Sequence, residues 1–216
     1  MPSPRRWKAR LFCATSLNGH LARSDHSITW LTSPPANPSH ARPTTPSSKT
    51  TPTFEEHMST VDFIVMGRQT FDVCISFAEW PYPREKMLLV LSRVLGAVSR
   101  EVVEGKGLSV ENVRVVGSVE EAGRVLDAEI EGGRMVYVDG GQTAREFFSR
   151  GWVDEVVLTV APVLLAGGGR ELFGNMEIRD DIEFTLVGVD IIENGMVTLY
   201  YRAKQKGLGE LGEKEV

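Results

Sequence analysis

The fold is decided by the stretch Met135-Val136-Tyr137-Val138-Asp139-Gly140-Gly141-Gln142-Thr143-Ala144-Arg145-Glu146-Phe147-Phe148. Its first residues form a continuous apolar run, which is typical of a strand buried on both faces of a parallel sheet. Gly140 and Gly141 let the backbone approach a ligand closely, and residues 142–148 predict a helix. A strand that passes through two glycines into a helix forms an anion site, because free N–H groups and the positive end of the helix dipole face the same point.

The same succession of strand and helix continues through most of the chain. A capping box at Ser118-Val119-Glu120-Glu121 predicts a helix, a further helix is predicted over residues 69–77, and Gly151 is predicted to end the helix that follows Gly141. Asn194-Gly195 predicts the turn of a hairpin made by residues 184–189 and 196–202. The other predicted strands span residues 9–15, 63–66, 87–91, 113–116, 135–139 and 156–163.

This order of elements predicts an α/β fold in three layers, with a mostly parallel central sheet and a C-terminal antiparallel hairpin. We expect residues 1–216 to form a single domain. Residues 32–53 hold six of the eleven prolines among many Ser and Thr residues, and are predicted to be a surface insertion, since they offer little apolar surface to bury. Residues 205–216 are charged and Gly-rich, and predict a flexible tail.

The composition excludes several classes of protein. With 42% hydrophobic residues and a net charge of −5, the chain is typical of a soluble globular protein and lacks the basic face that a nucleic-acid partner would need. No apolar run is long enough for a membrane span and no secretory signal is recognisable, so we expect a cytoplasmic protein. Cys13 and Cys74 are interpreted as buried thiols of a reducing compartment, and the four histidines lack the spacing of a metal site.

Two further strand ends carry phosphate-binding chemistry. Gly67 follows one predicted strand, and Arg68 and Thr70 would offer a guanidinium and a hydroxyl in the first helical turn. The alternative is that Gly67 makes only a tight turn and that Arg68 is a solvated charge. Ser92 and Arg93 follow the next strand, where a site for NAD would place an acid and a site for the 2′-phosphate of NADP offers Arg and a hydroxyl.

Three such ends at the carboxyl edge of one sheet predict NADPH as the cofactor, because ligands of α/β sheets bind at that edge. The G-x-G-x-x-G fingerprint of dinucleotide-binding domains is absent. Gly167-Gly168-Gly169 is interpreted either as a mobile turn or as a loop that borders the active site.

An ordered series of short motifs extends over the chain from about Arg10 to Arg202: Ala14-Thr15-Ser16-Leu17-Asn18-Gly19-His20-Leu21-Ala22, Trp30-Leu31, Asp62-Phe63-Ile64-Val65-Met66-Gly67-Arg68-Gln69-Thr70-Phe71, Trp80-Pro81-Tyr82, Val90-Leu91-Ser92, Asp139-Gly140-Gly141, Val153-Asp154-Glu155 and Ala161-Pro162-Val163-Leu164-Leu165-Ala166-Gly167. This series resembles the dihydrofolate reductase-like superfamily. It is most similar to the C-terminal reductase domain of riboflavin biosynthesis proteins and to its stand-alone bacterial-type relatives.

The resemblance implies a dihydrofolate reductase-like fold that binds NADPH across the sheet edge. By position, Ala14 and Leu21 would lie near the nicotinamide, Asn18 and Gly19 would belong to a loop that closes over nicotinamide and substrate, and Ser92 with Arg93 would meet the 2′-phosphate. The other cofactor-binding residues implied at the strand ends are Gly67, Arg68, Gln69, Thr70, Leu91, Asp139, Gly140, Gly141, Gln142 and Thr143.

The chain departs from the family pattern where a catalytic acid is expected. Dihydrofolate reductases carry a carboxylate on the helix after the residue matched by Trp30, and here the insertion interrupts that region. The nearest carboxylates are Glu55 and Glu56, which are either catalytic residues facing the pocket or acids at a helix N-terminus. The Asn-Pro segment of the riboflavin-pathway pattern is replaced by Phe71-Asp72-Val73-Cys74.

Three functions compete at this level. The first is an NADPH-dependent reductase that transfers a hydride to a small heterocycle of pteridine or pyrimidine type, with no metal. The second is a nucleotide-binding module without catalysis. The third is a structural homodimer with a vestigial site, in which the apolar residues 156–161 would pair across the interface.

Overall fold

A computed structural model describes residues 5–32, 50–130, 132–192 and 195–204. The predicted tail lies outside these residues, and so do positions 33–49 of the predicted insertion and Asn194 of the predicted turn. Gly195, at the end of that turn, has a φ of +72°.

Eight strands form one sheet in the order β5-β4-β3-β6-β1-β7-β10-β9, and β2 pairs with β8 in a separate antiparallel ribbon. The six strands from β5 to β7 are parallel, whereas β10 pairs antiparallel with both β7 and β9. This arrangement confirms the predicted α/β fold with a mostly parallel sheet and a C-terminal hairpin. The strands are β1 (Lys8–Ser16), β2 (His20–Arg23), β3 (Val61–Gly67), β4 (Met87–Leu91), β5 (Val113–Val116), β6 (Met135–Asp139), β7 (Val153–Ala161), β8 (Gly169–Glu171), β9 (Phe184–Ile191) and β10 (Val197–Ala203).

Side chains of β6 alternate between two hydrophobic cores on opposite faces of the sheet. Val136 and Val138 belong to the core covered by the last two helices, whereas Met135 and Tyr137 belong to the core covered by the second, third and fourth helices. A strand buried on both faces therefore needs the continuous apolar run that its sequence has. The helices are α1 (Thr29–Thr32), α2 (Phe54–Thr60), α3 (Arg68–Ser76), α4 (Arg100–Gly105), α5 (Val119–Glu129) and α6 (Gly141–Ser149).

The helix caps differ in part from the prediction. The Ser118 hydroxyl accepts the Glu121 N–H as predicted, but the Glu121 carboxylate accepts the Gly117 N–H at 2.7 Å. A full capping box occurs instead at α2, where Thr53 and Glu56 exchange side-chain and backbone hydrogen bonds.

The edge strand β9 is covered near Val189 and Asp190 by the segment that leads into α2. The Thr50 hydroxyl donates to the Val189 carbonyl at 3.1 Å and accepts the Val189 N–H at 3.0 Å, and Asp190 accepts the N–H groups of Thr50 and Thr51. Blocked backbone groups protect an edge strand from pairing with another chain.

The proposed pairing of residues 156–161 across a dimer interface is wrong in its geometry. These residues lie in β7, whose two edges are occupied by β1 and β10, so β7 has no free backbone ladder. No helix of the described residues has both the length and the apolar character that a membrane crossing requires. Among the described residues no group of His, Cys, Asp and Glu could hold a metal, and Cys13 and Cys74 are free thiols.

Candidate active-site cleft

A cleft of about 1380 Å³ opens at the carboxyl ends of five neighbouring parallel strands. It is lined by β1 and by the segments that follow β3, β4, β5 and β6, which are adjacent in the sheet. Ligands of open α/β sheets bind at this edge. The structure brings most of the predicted cofactor residues together here: Ala14, Leu21, Gly67, Arg68, Gln69, Thr70, Leu91, Ser92, Arg93, Asp139, Gly140, Gly141, Gln142 and Thr143 line the cleft.

Two glycines of the cleft lie in close contact with neighbouring side chains. Gly140 has a φ of +86°, and a Cβ atom there would overlap the Thr70 hydroxyl. A Cβ atom on Gly141 would lie 2.8 Å from Cδ1 of Leu21. The β6–α6 turn therefore requires glycine at position 140, both for its conformation and for its close approach to α3, whereas a side chain at position 141 would require Leu21 to shift.

The N-termini of α3 and α6 both face the cleft and neither has a side-chain cap. Their N-cap residues are Gly67 and Gly140, so the first N–H groups of each helix are left for a ligand or for water. Between them lies the Thr143 hydroxyl, which is buried and has no hydrogen-bond partner within the described residues. Two uncapped helices and an unsatisfied hydroxyl fit the phosphates of a dinucleotide.

The end of β4 supplies a cation to the mouth of the cleft. The Ser92 hydroxyl accepts the N–H groups of Val94 and Leu95, which fixes the turn that presents Arg93. Arg93 is exposed and makes no hydrogen bond or ion pair with the described part of the chain. Arg68, by contrast, is paired with Asp72 at 2.6 Å.

Sequence reasoning missed a fourth strand end in the cleft. Gly117 and Ser118, between β5 and α5, line it beside Arg93. The capping motif was recognised, but its place in the site could not be, because the position of β5 beside β4 is a tertiary fact. The β2–β8 ribbon was also missed: Gly169, Arg170 and Glu171 form β8 and line the cleft. Of the triplet Gly167-Gly168-Gly169, the last residue is the one that borders the cleft.

Four predicted site residues lie away from the cleft lining. The Asn18 amide donates to the Leu165 carbonyl and accepts the Leu165 N–H, both at 3.1 Å, so it ties the loop after β1 to the loop after β7. Gly19, with a φ of +76°, turns the chain next to it. Glu55 is exposed in the first turn of α2, and Glu56 binds the Thr53 N–H at 2.7 Å. The two glutamates thus occupy helix N-terminal positions, and a catalytic role for them finds no support in this geometry.

A different carboxyl group lies in the cleft. Asp139, at the end of β6, accepts a short hydrogen bond from the Tyr82 hydroxyl, and the Cys74 Sγ atom lies 3.6 Å from that hydroxyl. Burial raises the pKa of Asp139 above its usual range, while contacts with Tyr82, Tyr137 and the Gly140 N–H act in the opposite direction. Burial also raises the pKa of Cys74 to about 12, so this thiol stays neutral.

Aromatic rings form the wall around this carboxyl. Phe54 from α2 lies with its ring centroid 6.3 Å from that of Tyr82 and 6.5 Å from that of Tyr137, and all three residues line the cleft. Phe12 completes the wall at 5.6 Å from Phe54. Such a box suits a flat heterocycle, because aromatic faces stack on planar rings.

Behind this wall lies a second buried polar group. The His57 ring stacks on Phe12 with centroids 4.9 Å apart, and its Nδ1 atom lies 3.2 Å from an Arg10 nitrogen. Arg10 donates through Nε to Glu155 at 2.8 Å. Burial, and then the Arg10 charge, lower the pKa of His57 to about 3, so the ring is neutral at physiological pH.

Comparison with known proteins agrees with this geometry. Residues 8–198 match the family model described as RibD C-terminal domain. The chain belongs to this family. A solved structure with the description "Putative riboflavin biosynthesis protein", from Shewanella sp. PV-4, is 31% identical, with a TM-score of 0.71 over 92% of this chain and 99% of that chain.

Two further similar proteins extend the comparison. The uncharacterized protein YwjB of Bacillus subtilis (strain 168) is 26% identical over 200 residues, which are 91% of this chain and 98% of YwjB. Dihydrofolate reductase from Enterococcus faecalis, solved in complex with NADP(H), is 17% identical, with a TM-score of 0.54 over 92% of this chain and 97% of that chain. The fold of this family member is therefore dihydrofolate reductase-like, and the predicted resemblance is confirmed.

Proposed function

We propose that this protein is an NADPH-dependent reductase that acts on a small, flat heterocycle in the cleft. The observation that carries the proposal is the shared cleft itself. Uncapped helix N-termini, the buried Thr143 hydroxyl and the free Arg93 form one part of its lining, and an aromatic box with a carboxyl group forms another. One part fits the phosphates of a dinucleotide, and the other fits a substrate ring.

The residues divide into binding and orienting roles. The backbone of Gly67 and of Gly140–Gly141, with Thr143, would hold phosphate groups, and Ala14 and Leu21 would form the apolar floor beneath the nicotinamide. Bound NADPH would supply the hydride, since that chemistry belongs to the cofactor. The protein would orient the ring in the aromatic box, exclude water and provide a proton.

The alternative is a nucleotide-binding module without catalysis. Its support is the absence of a carboxylate at the position after Trp30 where dihydrofolate reductases carry one. The cleft contains Asp139, so that support is weakened. A homodimer in solution stays a prediction, and light scattering at micromolar concentration would test it.

Thermal unfolding with NADPH, NADP, NADH and no ligand tests the proposal. A ligand that binds only the folded state stabilises it by about 2.7 kcal/mol at 100 times its dissociation constant. We expect a clear rise of the midpoint with NADPH and a smaller rise with NADH. No rise with any of the nucleotides would contradict the proposal. If NADPH does raise the midpoint, oxidation of NADPH in a screen of pteridines and pyrimidines separates a reductase from a binding module.

Cofactor choice is tested at Arg93, because Arg68 is already paired with Asp72. A hydrogen bond between charged groups contributes about 1.5–3 kcal/mol, so Arg93→Ala is expected to weaken NADPH about tenfold or more. Binding of NADH, which lacks the extra phosphate, is expected to change little. The control is Arg100→Ala on α4, where an exposed arginine pairs with Glu104 outside the cleft. Equal weakening of both cofactors by Arg93→Ala would contradict a role in reading the 2′-phosphate.

A further inference from the structure

The β2–β8 ribbon is separate from the eight-stranded sheet, yet it carries Leu21 and Ala22 into the cleft. A two-stranded ribbon is only marginally stable by itself, so its position depends on contacts with its neighbours. One such contact comes from Arg145, in the second turn of α6. Its Nη1 atom donates to the Glu171 carbonyl at 2.7 Å and to the Leu172 carbonyl at 3.3 Å, and therefore ties the end of β8 to α6.

The start of α6 brings this tie next to the phosphate-binding backbone. A Cβ atom on Gly141 would lie 2.8 Å from Cδ1 of Leu21 and 3.3 Å from Nη1 of Arg145. The Glu171 carbonyl oxygen would lie 3.4 Å from the same Cβ atom. Gly141 is the first residue of a helix without a side-chain cap, so its N–H group is one of those left for a ligand or for water. The anion site, the apolar floor and the Arg145 guanidinium thus meet at one point of the cleft.

Contacts inside the ribbon relate the position of β8 to that of Leu21. Leu21 lies between His20 and Ala22, which both pair with residues of β8. A Cβ atom on Gly169 of β8 would lie 2.4 Å from the Ala22 carbonyl oxygen, so the two strands pack too closely to move independently. A tie at the end of β8 therefore also fixes Leu21.

The partners of Arg145 distinguish it from two other arginines that line the cleft. Arg68 pairs with Asp72 at 2.6 Å, and Arg150 pairs with Glu146 at the same distance. Arg145 donates to carbonyl oxygens, and within the described residues no carboxylate forms an ion pair with it. A guanidinium has five N–H donors in a fixed fork, so Nη1 can hold β8 while the other donors bind a second group of oxygens.

We propose that Arg145 is a clamp between the cofactor and the ribbon. Nη1 holds the β8 carbonyls, and the other N–H groups bind a phosphate of the dinucleotide at the N-terminus of α6. Phosphate binding thereby fixes the ribbon, and with it Leu21, beneath the nicotinamide, whose placement sets the geometry of hydride transfer. Arg145 is then a binding and positioning residue that the strand-end pattern did not indicate. This inference rests on the proposed function.

The clamp is testable without a substrate by hydrogen exchange of the ribbon amides, read by mass spectrometry. The probe is ADP-ribose 2′-phosphate, which keeps the phosphates of NADP but lacks the nicotinamide. In the wild-type protein we expect the probe to slow exchange over residues 20–23 and 169–171, although no nicotinamide is present to contact Leu21. In Arg145→Gln we expect the probe to bind about tenfold more weakly and, at saturation, to leave the exchange of the ribbon unchanged. A merely structural role would change the exchange equally with and without the probe.

Two further variants separate the geometry of the clamp from its charge. Arg134→Gln is the matched control, because Arg134 pairs with Asp62 outside the cleft, and it should keep the wild-type affinity and exchange. Arg145→Lys keeps the positive charge but presents no fork of donors. We expect it to restore part of the affinity for the probe and not the slower exchange of the ribbon. Slower exchange of wild-type size in Arg145→Gln or in Arg145→Lys would overturn the clamp.

The outcomes separate this inference from the proposed function. If NADPH and the probe bind but the exchange of the wild-type ribbon does not change with the probe, the inference is overturned and the reductase proposal survives. If neither nucleotide binds, both fail. If Arg145→Gln does not fold, adenosine 2′-phosphate, which lacks the pyrophosphate, takes its place in the comparison. At saturation it should leave the exchange of the wild-type ribbon unchanged, and slower exchange would overturn the inference.

Discussion

Two polar clusters lie on either side of the Phe12 and Tyr137 rings of the aromatic wall. They differ in whether the acid of the cluster has a counterion. The back cluster consists of Arg10, His57 and Glu155, and the cleft cluster of Asp139, Tyr82 and Cys74. In the back cluster a charge is matched: Glu155 accepts from Arg10 at 2.8 Å and also lies 3.5 Å from Arg202. In the cleft cluster, no cation from the described residues shifts the pKa of the carboxyl group.

The difference predicts different consequences when a charge is removed from each cluster. A buried charge with a partner is fixed, because movement of either ion would expose the other to an apolar interior. A buried carboxyl group without a counterion holds its proton more strongly and can exchange it with a ligand. The comparison therefore predicts that exchange of a carboxyl group for an amide lowers stability strongly in the back cluster and only slightly in the cleft cluster.

The largest effect on stability is expected for Glu155→Gln. Arg10 and Glu155 are only 8% and 6% exposed, so the loss of the carboxylate leaves a buried guanidinium without a counterion. Breaking such a pair costs about 3–5 kcal/mol. Urea denaturation measures the free energy of unfolding, with Glu183→Gln as control, since Glu183 pairs with Lys204 at the surface. A loss no greater than that of the control would remove the distinction between the clusters.

Gly140→Ala tests the glycine turn that carries Asp139 into the cleft. The substitution meets both a positive φ and the Thr70 hydroxyl, and we expect a loss of about 2–4 kcal/mol. Gly133→Ala is the matched control, because Gly133 has a φ of +90° with open space around it. The difference between the two variants in urea denaturation measures the crowding alone. Equal losses would mean that the β6–α6 turn can move away from α3.

Acid is expected to act on the back cluster through His57. The pKa of this residue falls from about 6.5 in the unfolded chain to about 3 in the fold, so the unfolded state binds the extra proton. The contribution is present in full above pH 6.5 and is lost as the pH falls towards 3, on the order of 1 kcal/mol per pH unit. The free energy of unfolding, measured between pH 6.5 and pH 3, should depend less steeply on pH in His57→Gln than in the wild-type protein. His26→Asn, at a half-exposed histidine, should keep the wild-type slope.

The smallest effect is expected for Asp139→Asn, the carboxyl-to-amide exchange in front of the wall. No ion pair with the described residues is lost, so the free energy of unfolding should change by less than about 1 kcal/mol. Urea denaturation beside Glu155→Gln makes the comparison direct. A loss as large as that of Glu155→Gln would show that Asp139 serves the fold rather than the chemistry.

Much of the site could be predicted because it depends on local sequence. A glycine after an apolar run marks the end of a strand, and parallel strands bring such ends to one edge, so the residues near Gly67, Ser92 and Gly140 were expected together. The carboxyl group of Asp139 in the cleft was not predicted as a candidate acid, because that prediction also relied on position along the chain. Glu55 and Glu56 are near the expected position in the chain, whereas Tyr82 and Asp139 are 57 positions apart and meet only in the fold.

The sequence by itself determined the α/β class, the parallel sheet with its closing hairpin and the glycine turns. These features depend on hydrophobic periodicity and on turn-forming residues, which are properties of neighbouring residues in the chain. Only the tertiary structure decided which polar groups are buried together and which of them receive a counterion. Asp139 and Glu155 are both acids near the ends of predicted strands, and no local pattern distinguishes them. β1 lies between β6 and β7, so Arg10 could reach either acid, and the register decides. Arg10 lies directly opposite Glu155 on β7, whereas on β6 it lies opposite Tyr137, two residues before Asp139. Electrostatic environment depends on distance in space, and distance along the chain does not encode it.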